Sequence, residues 1–178
     1  MRSLAYVGLG SNLAHPRRQL ARALAELTRL PRTRVVAASP NYVSAPLGCA
    51  EPQPDYVNAV ATLCTALPPK ALLAHLHHIE RRRGRVRHRR DRRNAPRTLD
   101  LDLLLFGGRR LRLPRLTVPH PRMHQRAFVL KPLLDVAPAA VVPGQGPAKL
   151  LLHRLRGQRI ARTRTHFWRQ ALVCDGHR

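Results

Sequence analysis

The 178-residue chain carries 33 Lys and Arg against 9 Asp and Glu, a formal net charge of +24. One domain of this length buries about 70% of its unfolded surface, and no apolar run reaches the ~18 residues that a transmembrane helix needs. Three scattered cysteines without a CxxC exclude a disulfide framework or zinc knuckle, so the expected setting is reducing and cytosolic, without a membrane partner. Only Lys70, Lys131 and Lys149 are lysines. The arginine excess suits an anionic partner, a phosphorylated ligand or a nucleic acid, and it equally suits a solvated surface shaped by codon usage.

In chain order, residues 4–9 read as a short buried strand. Gly8-x-Gly10 lacks the third glycine of a dinucleotide fingerprint and is taken as a tight turn into Ser11-Asn12, not as part of a signal peptide. Pro16 suits the first turn of a helix, and Leu20, Leu24 and Leu27 follow at helical spacing. Val35 to Ser44 is a second strand broken near Pro40, and Tyr56 to Thr65 a third. Between them lies a loop rich in proline. Pro68-Pro69 opens a second helix striped by Leu72, Leu76 and Ile79 and stopped near Gly84. Residues 85–95 form an arginine-rich surface loop, followed by a strand from Asp100 that ends at Gly107-Gly108. Residues 109–116 suggest a hairpin or edge segment, and Ala127 to Leu134 a strand or helix. The order β-α-β-β-α-(loop)-β predicts one α+β domain over 1–160. Its expected form is a ferredoxin-like, mainly antiparallel sheet with helices packed on one face, and 161–178 is left as a basic tail.

The densest chemistry lies in Leu99-Asp100-Leu101-Asp102-Leu103-Leu104-Leu105. Strand alternation puts Leu99, Leu101, Leu103 and Leu105 on one face and Asp100 and Asp102 on the other, with the carboxylates' backbones roughly 6–7 Å apart. Two converging carboxylates can hold Mg²⁺ against substrate phosphates; two solvated aspartates on an exposed strand face is the alternative. Arg97, fixed behind Pro96, can pair with these acids or reach a phosphate. Arg85, Arg87 and Arg93 stand where a lid over a polyphosphate would lie. Tyr56-Val57-Asn58 places a ring and an amide on one strand face, suited to a flat heteroaromatic ligand or to an ordinary core. His75, His77 and His78 have no cysteine or aspartate nearby to complete a metal site. No G-x-x-x-x-G-K-[ST] run is present, so ATP chemistry would not be of the P-loop kind.

Taken together, Tyr6-Val7-Gly8-Leu9-Gly10-Ser11-Asn12-Leu13, Ala45-Pro46-Leu47-Gly48, Gln53-Pro54-Asp55-Tyr56-Val57-Asn58-Ala59 and Arg93-x-Ala95-Pro96-Arg97-Thr98-Leu99-Asp100-Leu101-Asp102 resemble the 6-hydroxymethyl-7,8-dihydropterin pyrophosphokinases of folate biosynthesis. The resemblance also takes in Ile79-Glu80, Gly84-Arg85-Val86-Arg87 and Leu116-Thr117-Val118-Pro119-His120, and it spans about residues 4–145. It implies transfer of pyrophosphate from ATP to the pterin hydroxymethyl group, with AMP released. Asp100 and Asp102 would hold two Mg²⁺ ions, and Arg85 and Arg97 would stabilise charge in transfer. Pro46, Leu47, Tyr56, Asn58 and Phe128 would bind the pterin. His77, Glu80, Arg87, Leu103, Arg115, Thr117, His120 and Arg126 would bind ATP. The expected partners are small-molecule substrates, and the expected state is a monomer. Alternatives from other classes are a basic nucleic-acid-binding module and a degenerate relative that binds pterin or ATP without turnover. Asn94 stands where the family commonly has tryptophan, Pro121 where it often has an aromatic, and His77 where it has glutamine. The arginine loop is also longer than usual.

Overall fold

Alternation along the first strand decides the layering. The structure, a computed structural model, describes residues 1–49, 51–84 and 95–163. In β1 (Ser3–Ser11) the side chains of Ala5, Val7 and Leu9 enter one core while Tyr6 packs against another on the opposite face. Helix α1 (Pro16–Leu27) then runs back across the first core, with Leu20, Ala23, Leu24 and Leu27 buried and the arginines turned outward. β2 (Thr33–Ala38) and β3 (Tyr42–Ser44) both pair antiparallel with the same side of β4 (Tyr56–Thr65), so they are one strand interrupted. Ser39 bridges the break: its N–H donates to the Val60 carbonyl, and its Oγ accepts the Val60 N–H, both at 2.9 Å. α2 (Pro69–Arg82) buries Leu72, Leu76 and Ile79 beside α1. An ion pair between Arg83 and the nearly buried Glu26 joins the ends of the two helices.

β5 (Asp100–Phe106) pairs with the free side of β1, giving the antiparallel order β3-β4-β1-β5. This β-α-β-β-α-β core is the ferredoxin-like arrangement expected. Several details differ from the sequence expectation. The Gly8-x-Gly10 segment is not a turn but lies within β1, paired to strands on both sides. A β-bulge at Leu104 interrupts the β1–β5 register: Leu103 pairs with Val7, and Leu105 pairs with Tyr6. Leu105 therefore does not share the face of Leu99, Leu101 and Leu103. It joins Leu104 in the second core, and Phe106 returns to the first. Nor are the helices confined to one face.

After β5 come the hairpin β6 (Leu111–Leu113) and β7 (Leu116–Val118), then α3 (Ala127–Val136). A short β8 (Val141–Val142) and β9 (Gly146–Pro147) lead into α4 (Ala148–His153). α3 and α4 cover the opposite sheet face through Leu130, Leu133 and Leu151, packed on Val60, Leu104 and Leu105. β10 (Ile160–Arg162) pairs with β3, which carries the sheet two residues past the expected limit at 160.

Glu80 serves this framework. Its carboxylate is 1% exposed and its Oε1 accepts the Leu101 N–H at 2.9 Å, supplying a partner at the side of β5 turned away from β1. Replacing Glu80 with Ala leaves a buried donor unpaired and should cost about 2 kcal/mol, whereas Glu80→Gln keeps an acceptor and should cost less. Urea denaturation of the two variants measures the difference.

Candidate active site

The site is built on the sheet face that carries α3, where that helix leaves one end of the sheet open. Gly10 pairs with Asn58 on one side and Asp100 on the other; Gly8 pairs with Val60 and Asp102. A Cβ at Gly10 would stand 3.4 Å from Asn58 Oδ1 and 3.9 Å from Asp100 Cβ, so glycine keeps the floor open between amide and acid. Above this floor is a cavity of about 290 Å³. Arg126, Phe128 and Val129 wall it from the start of α3, His120 and Arg122 from the segment after β7, Ser44 from the end of β3, and Leu47 and Cys49 from the loop that follows.

One half of the cavity is an aromatic and amide slot. Asn58 is buried and its Nδ2 donates to Ser44 Oγ at 3.0 Å, which fixes the amide plane. The Tyr56 hydroxyl lies 3.3 Å from both Gln53 Oε1 and the Ala95 carbonyl, donating to one or the other. Burial raises the Tyr56 pKa and outweighs the opposing pull of Arg97, so the phenol stays neutral. Phe128 lines the same space, with the Arg126 guanidinium 5.5 Å from its ring centroid.

The other half is a shelf of acids and cations. Arg97 Nη1 donates to Asp100 Oδ2 at 2.7 Å, and Arg97 Nε donates to the Ala95 carbonyl at 3.1 Å. Burial works against the Arg97 charge, but Asp100, Tyr56 and Asp102 outweigh it and move its pKa up. Arg126 moves the other way, lowered by burial and by Arg122 against the pull of both aspartates. The His120 pKa falls to about 4, through burial first and then repulsion from Arg126 and Arg122. His120 is therefore neutral near pH 7. Its Nδ1 accepts the Arg122 N–H at 3.3 Å, which assigns the proton to Nε2, 3.9 Å from Asp102 Oδ2. A neutral imidazole presenting N–H can donate to an anionic oxygen without titrating.

Leu47, Tyr56, Asn58, Arg97, Asp100, Asp102, His120, Arg126 and Phe128 all line this one cavity, as the sequence reading expects. Other expected residues lie elsewhere. Pro46 is half-buried beside the cavity without lining it. The Glu80 carboxylate is sealed beneath β5, and the Leu103 side chain fills the first core under α2. The half-buried His77 lies on α2, and the exposed Arg115 and Thr117 lie on the β6–β7 hairpin, so none of the three lines the cavity. Arg85 and Arg87, like Arg93 and Asn94, fall outside the described residues. Sequence reasoning missed Arg122, which no residue type separates from the many other arginines. It also missed Ser44, whose role appears only when β3 is laid beside β4.

Asp100 and Asp102 offer hard carboxylate oxygens on one face, which fits Mg²⁺. Among the described residues no group of three His, Cys, Asp or Glu forms a self-sufficient metal cage. The pair thus suits a cation whose remaining positions are filled by water and substrate phosphates.

The family model described as 7,8-dihydro-6-hydroxymethylpterin-pyrophosphokinase matches residues 6–138. The chain belongs to this family. A 2-amino-4-hydroxy-6-hydroxymethyldihydropteridine pyrophosphokinase of Pseudomonas aeruginosa is 58% identical over 138 residues, covering 78% of this chain and 83% of that one. The enzyme of the same name from Haemophilus influenzae is 49% identical over 139 residues, covering 78% and 84%. Among solved structures, the Plasmodium falciparum HPPK-DHPS wild type with pteroate superposes with a TM-score of 0.68 at 11% identity. That match covers 86% of this chain and 42% of the longer one, and at this identity it speaks to the fold alone.

The low His120 pKa sets a pH dependence. The unfolded chain takes up the His120 proton near pH 6.5 and the folded chain only near pH 4, so the stability from this group is complete above pH 6.5 and is lost as pH falls toward 4. In metal-free protein, urea midpoints measured from pH 7 to pH 4 should fall less steeply for His120→Gln than for the wild type.

Proposed function

We propose that this chain transfers the β,γ-pyrophosphoryl group of ATP to the hydroxymethyl group of 6-hydroxymethyl-7,8-dihydropterin, releasing AMP, as a cytosolic enzyme of folate biosynthesis. The observation that carries this reading is a single cavity whose one half is an aromatic and amide slot and whose other half is a paired-carboxylate and arginine shelf. The names of the related pyrophosphokinases support it.

The chemistry is a displacement at phosphorus. The hydroxymethyl oxygen bonds to the β-phosphorus while the bond from that phosphorus to the oxygen bridging the α-phosphorus breaks. The electron pair leaves on AMP, and the hydroxyl proton passes to solvent. Positioning and electrostatics supply most of the acceleration in such reactions. Tyr56 and Phe128 hold the flat ring, and Asn58, locked by Ser44, reads its edge. Arg97, Arg126 and Arg122 neutralise non-bridging oxygens, and the neutral His120 adds an Nε2–H donor. Asp100 and Asp102 are the residues that would hold two Mg²⁺ ions, which when bound offset the triphosphate charge and lower the pKa of the attacking hydroxyl.

Two substitutions test the assignment. Asp100→Asn and Asp102→Asn should each lower AMP formation by about 10²-fold or more, while pterin binding without nucleotide, followed by ligand fluorescence, stays near the wild-type value. Activity equal to wild type in either variant would remove the carboxylates from the mechanism. No AMP from folded wild-type protein with saturating Mg·ATP and reduced hydroxymethylpterin would remove the reading itself.

A further inference from the structure

We infer that Asn12, at the exit of β1, is a positioning residue that sets the aromatic slot and the arginine shelf in register with one another; the inference rests on the transfer reaction proposed above. Asn12 is 2% exposed and belongs to neither half of the cavity. Its side chain nevertheless bonds to the backbone of Arg97 on the shelf and, on the other side, to Gln53 and Pro54, which lead into Tyr56 of the slot. Asn12 Oδ1 accepts the Arg97 N–H at 2.8 Å, and the Asn12 N–H donates to the Arg97 carbonyl at 3.2 Å, a closed two-bond clasp on the arginine turn. On its other side, Asn12 Nδ2 donates to Gln53 Oε1 and to the Pro54 carbonyl, both at 3.2 Å.

From these contacts a network follows, which the Tyr56 hydroxyl, with its single proton, links to one side or the other. Gln53 Oε1 stands 3.3 Å from the Tyr56 hydroxyl, that hydroxyl stands 3.3 Å from the Ala95 carbonyl, and the same carbonyl accepts Arg97 Nε at 3.1 Å. Residues 53–54 and 95–97 belong to no helix or strand, so side-chain bonds of this kind, not a ladder, place them. The primary amide is the one side chain of this size offering an acceptor and two donors on adjacent atoms. Asp keeps the acceptor and loses the donors; Ala loses both. The ring that holds the acceptor substrate and the guanidinium that meets the phosphates are thus aligned through one residue that touches neither substrate. In-line transfer tolerates little misalignment, since a displacement of about 1 Å can cost about 10²-fold in rate.

Asn12→Ala should lower kcat about tenfold to 10²-fold, with Kd for Mg·ATP and for the pterin, measured separately, changing far less. A purely structural residue would instead lower the folded fraction and scale kcat with it, so urea midpoints and active-site titration accompany the kinetics. Asn12→Asp retains the Arg97 clasp and should recover part of kcat while weakening pterin binding as much as Asn12→Ala does. Gln53→Met removes the link to Tyr56, and its effect on pterin Kd should vanish in the Asn12→Ala background, because both changes cut one network. Folded Asn12→Ala with kcat within about twofold of wild type would overturn the inference. So would Asn12→Asp no better than Asn12→Ala, or additive effects of the Asn12 and Gln53 changes. If Asn12→Ala does not fold, Asn12→Asp and Gln53→Met decide the question. Failure of the transfer reading shows as a wild-type protein that makes no AMP. The network is then still read from pterin Kd in Gln53→Met and Asn12→Asp.

Discussion

The site depends on β1 lying between β4 and β5 with glycine at its two cavity-facing positions. Antiparallel pairing on both sides places Asn58 and Asp100 across from the same residue, Gly10, and places Val60 and Asp102 across from Gly8. A buried amide and a carboxylate are thereby brought within one strand spacing of a common backbone point, about 4.8 Å to either side. Any side chain at residue 10 would enter the gap between them. The cores of both faces then serve one end, which is to hold β1 straight between its partners. α1 and α2 press on Ala5, Val7 and Leu9, and α3 and α4 close the far face over Val60, Leu104 and Leu105.

Electrostatically the shelf is balanced within itself. Arg97 and Asp100 neutralise each other at 2.7 Å, so the buried pair costs less than either charge alone. Arg126 is held partly buried by the attraction of two aspartates against the repulsion of Arg122. His120 resolves the surplus of positive charge by remaining neutral. A polyanion arriving here meets cations that are already placed and a histidine that need not change protonation state to bind it.

Much of this was legible in the chain because period and punctuation agree. Pro16 and Pro69 start the two helices, leucines at helical spacing set their buried sides, and Pro40 marks the interruption between β2 and β3. The Asp-x-Asp strand and the Tyr56–Asn58 pair were readable from alternation alone. What was not readable depends on contacts distant in sequence. Gly8-x-Gly10 mimics a turn locally, and only pairing with two partners makes it strand. The bulge at Leu104 looks like one more leucine in a leucine run. The second helical layer comes from a stretch, Ala127–Val136, whose apolar content fits helix and strand alike. Glu80 looks like a ligand for a nucleotide until β5 is laid over it and takes its carboxylate for the Leu101 N–H.

The bulge gives β5 two independent reading frames. Residues before Leu104 keep leucine toward the first core and aspartate toward the cavity; residues after it follow the opposite parity. A one-residue insertion or deletion in the later half would disturb the packing of Leu105 and Phe106 yet leave the carboxylates aimed as they are. The same change between Asp100 and Asp102 would put the two acids on opposite faces of the strand, one of them toward the hydrophobic core. Sequence comparison within the family should therefore tolerate length variation on one side of Leu104 and forbid it on the other, which makes this leucine a natural anchor for aligning distant members.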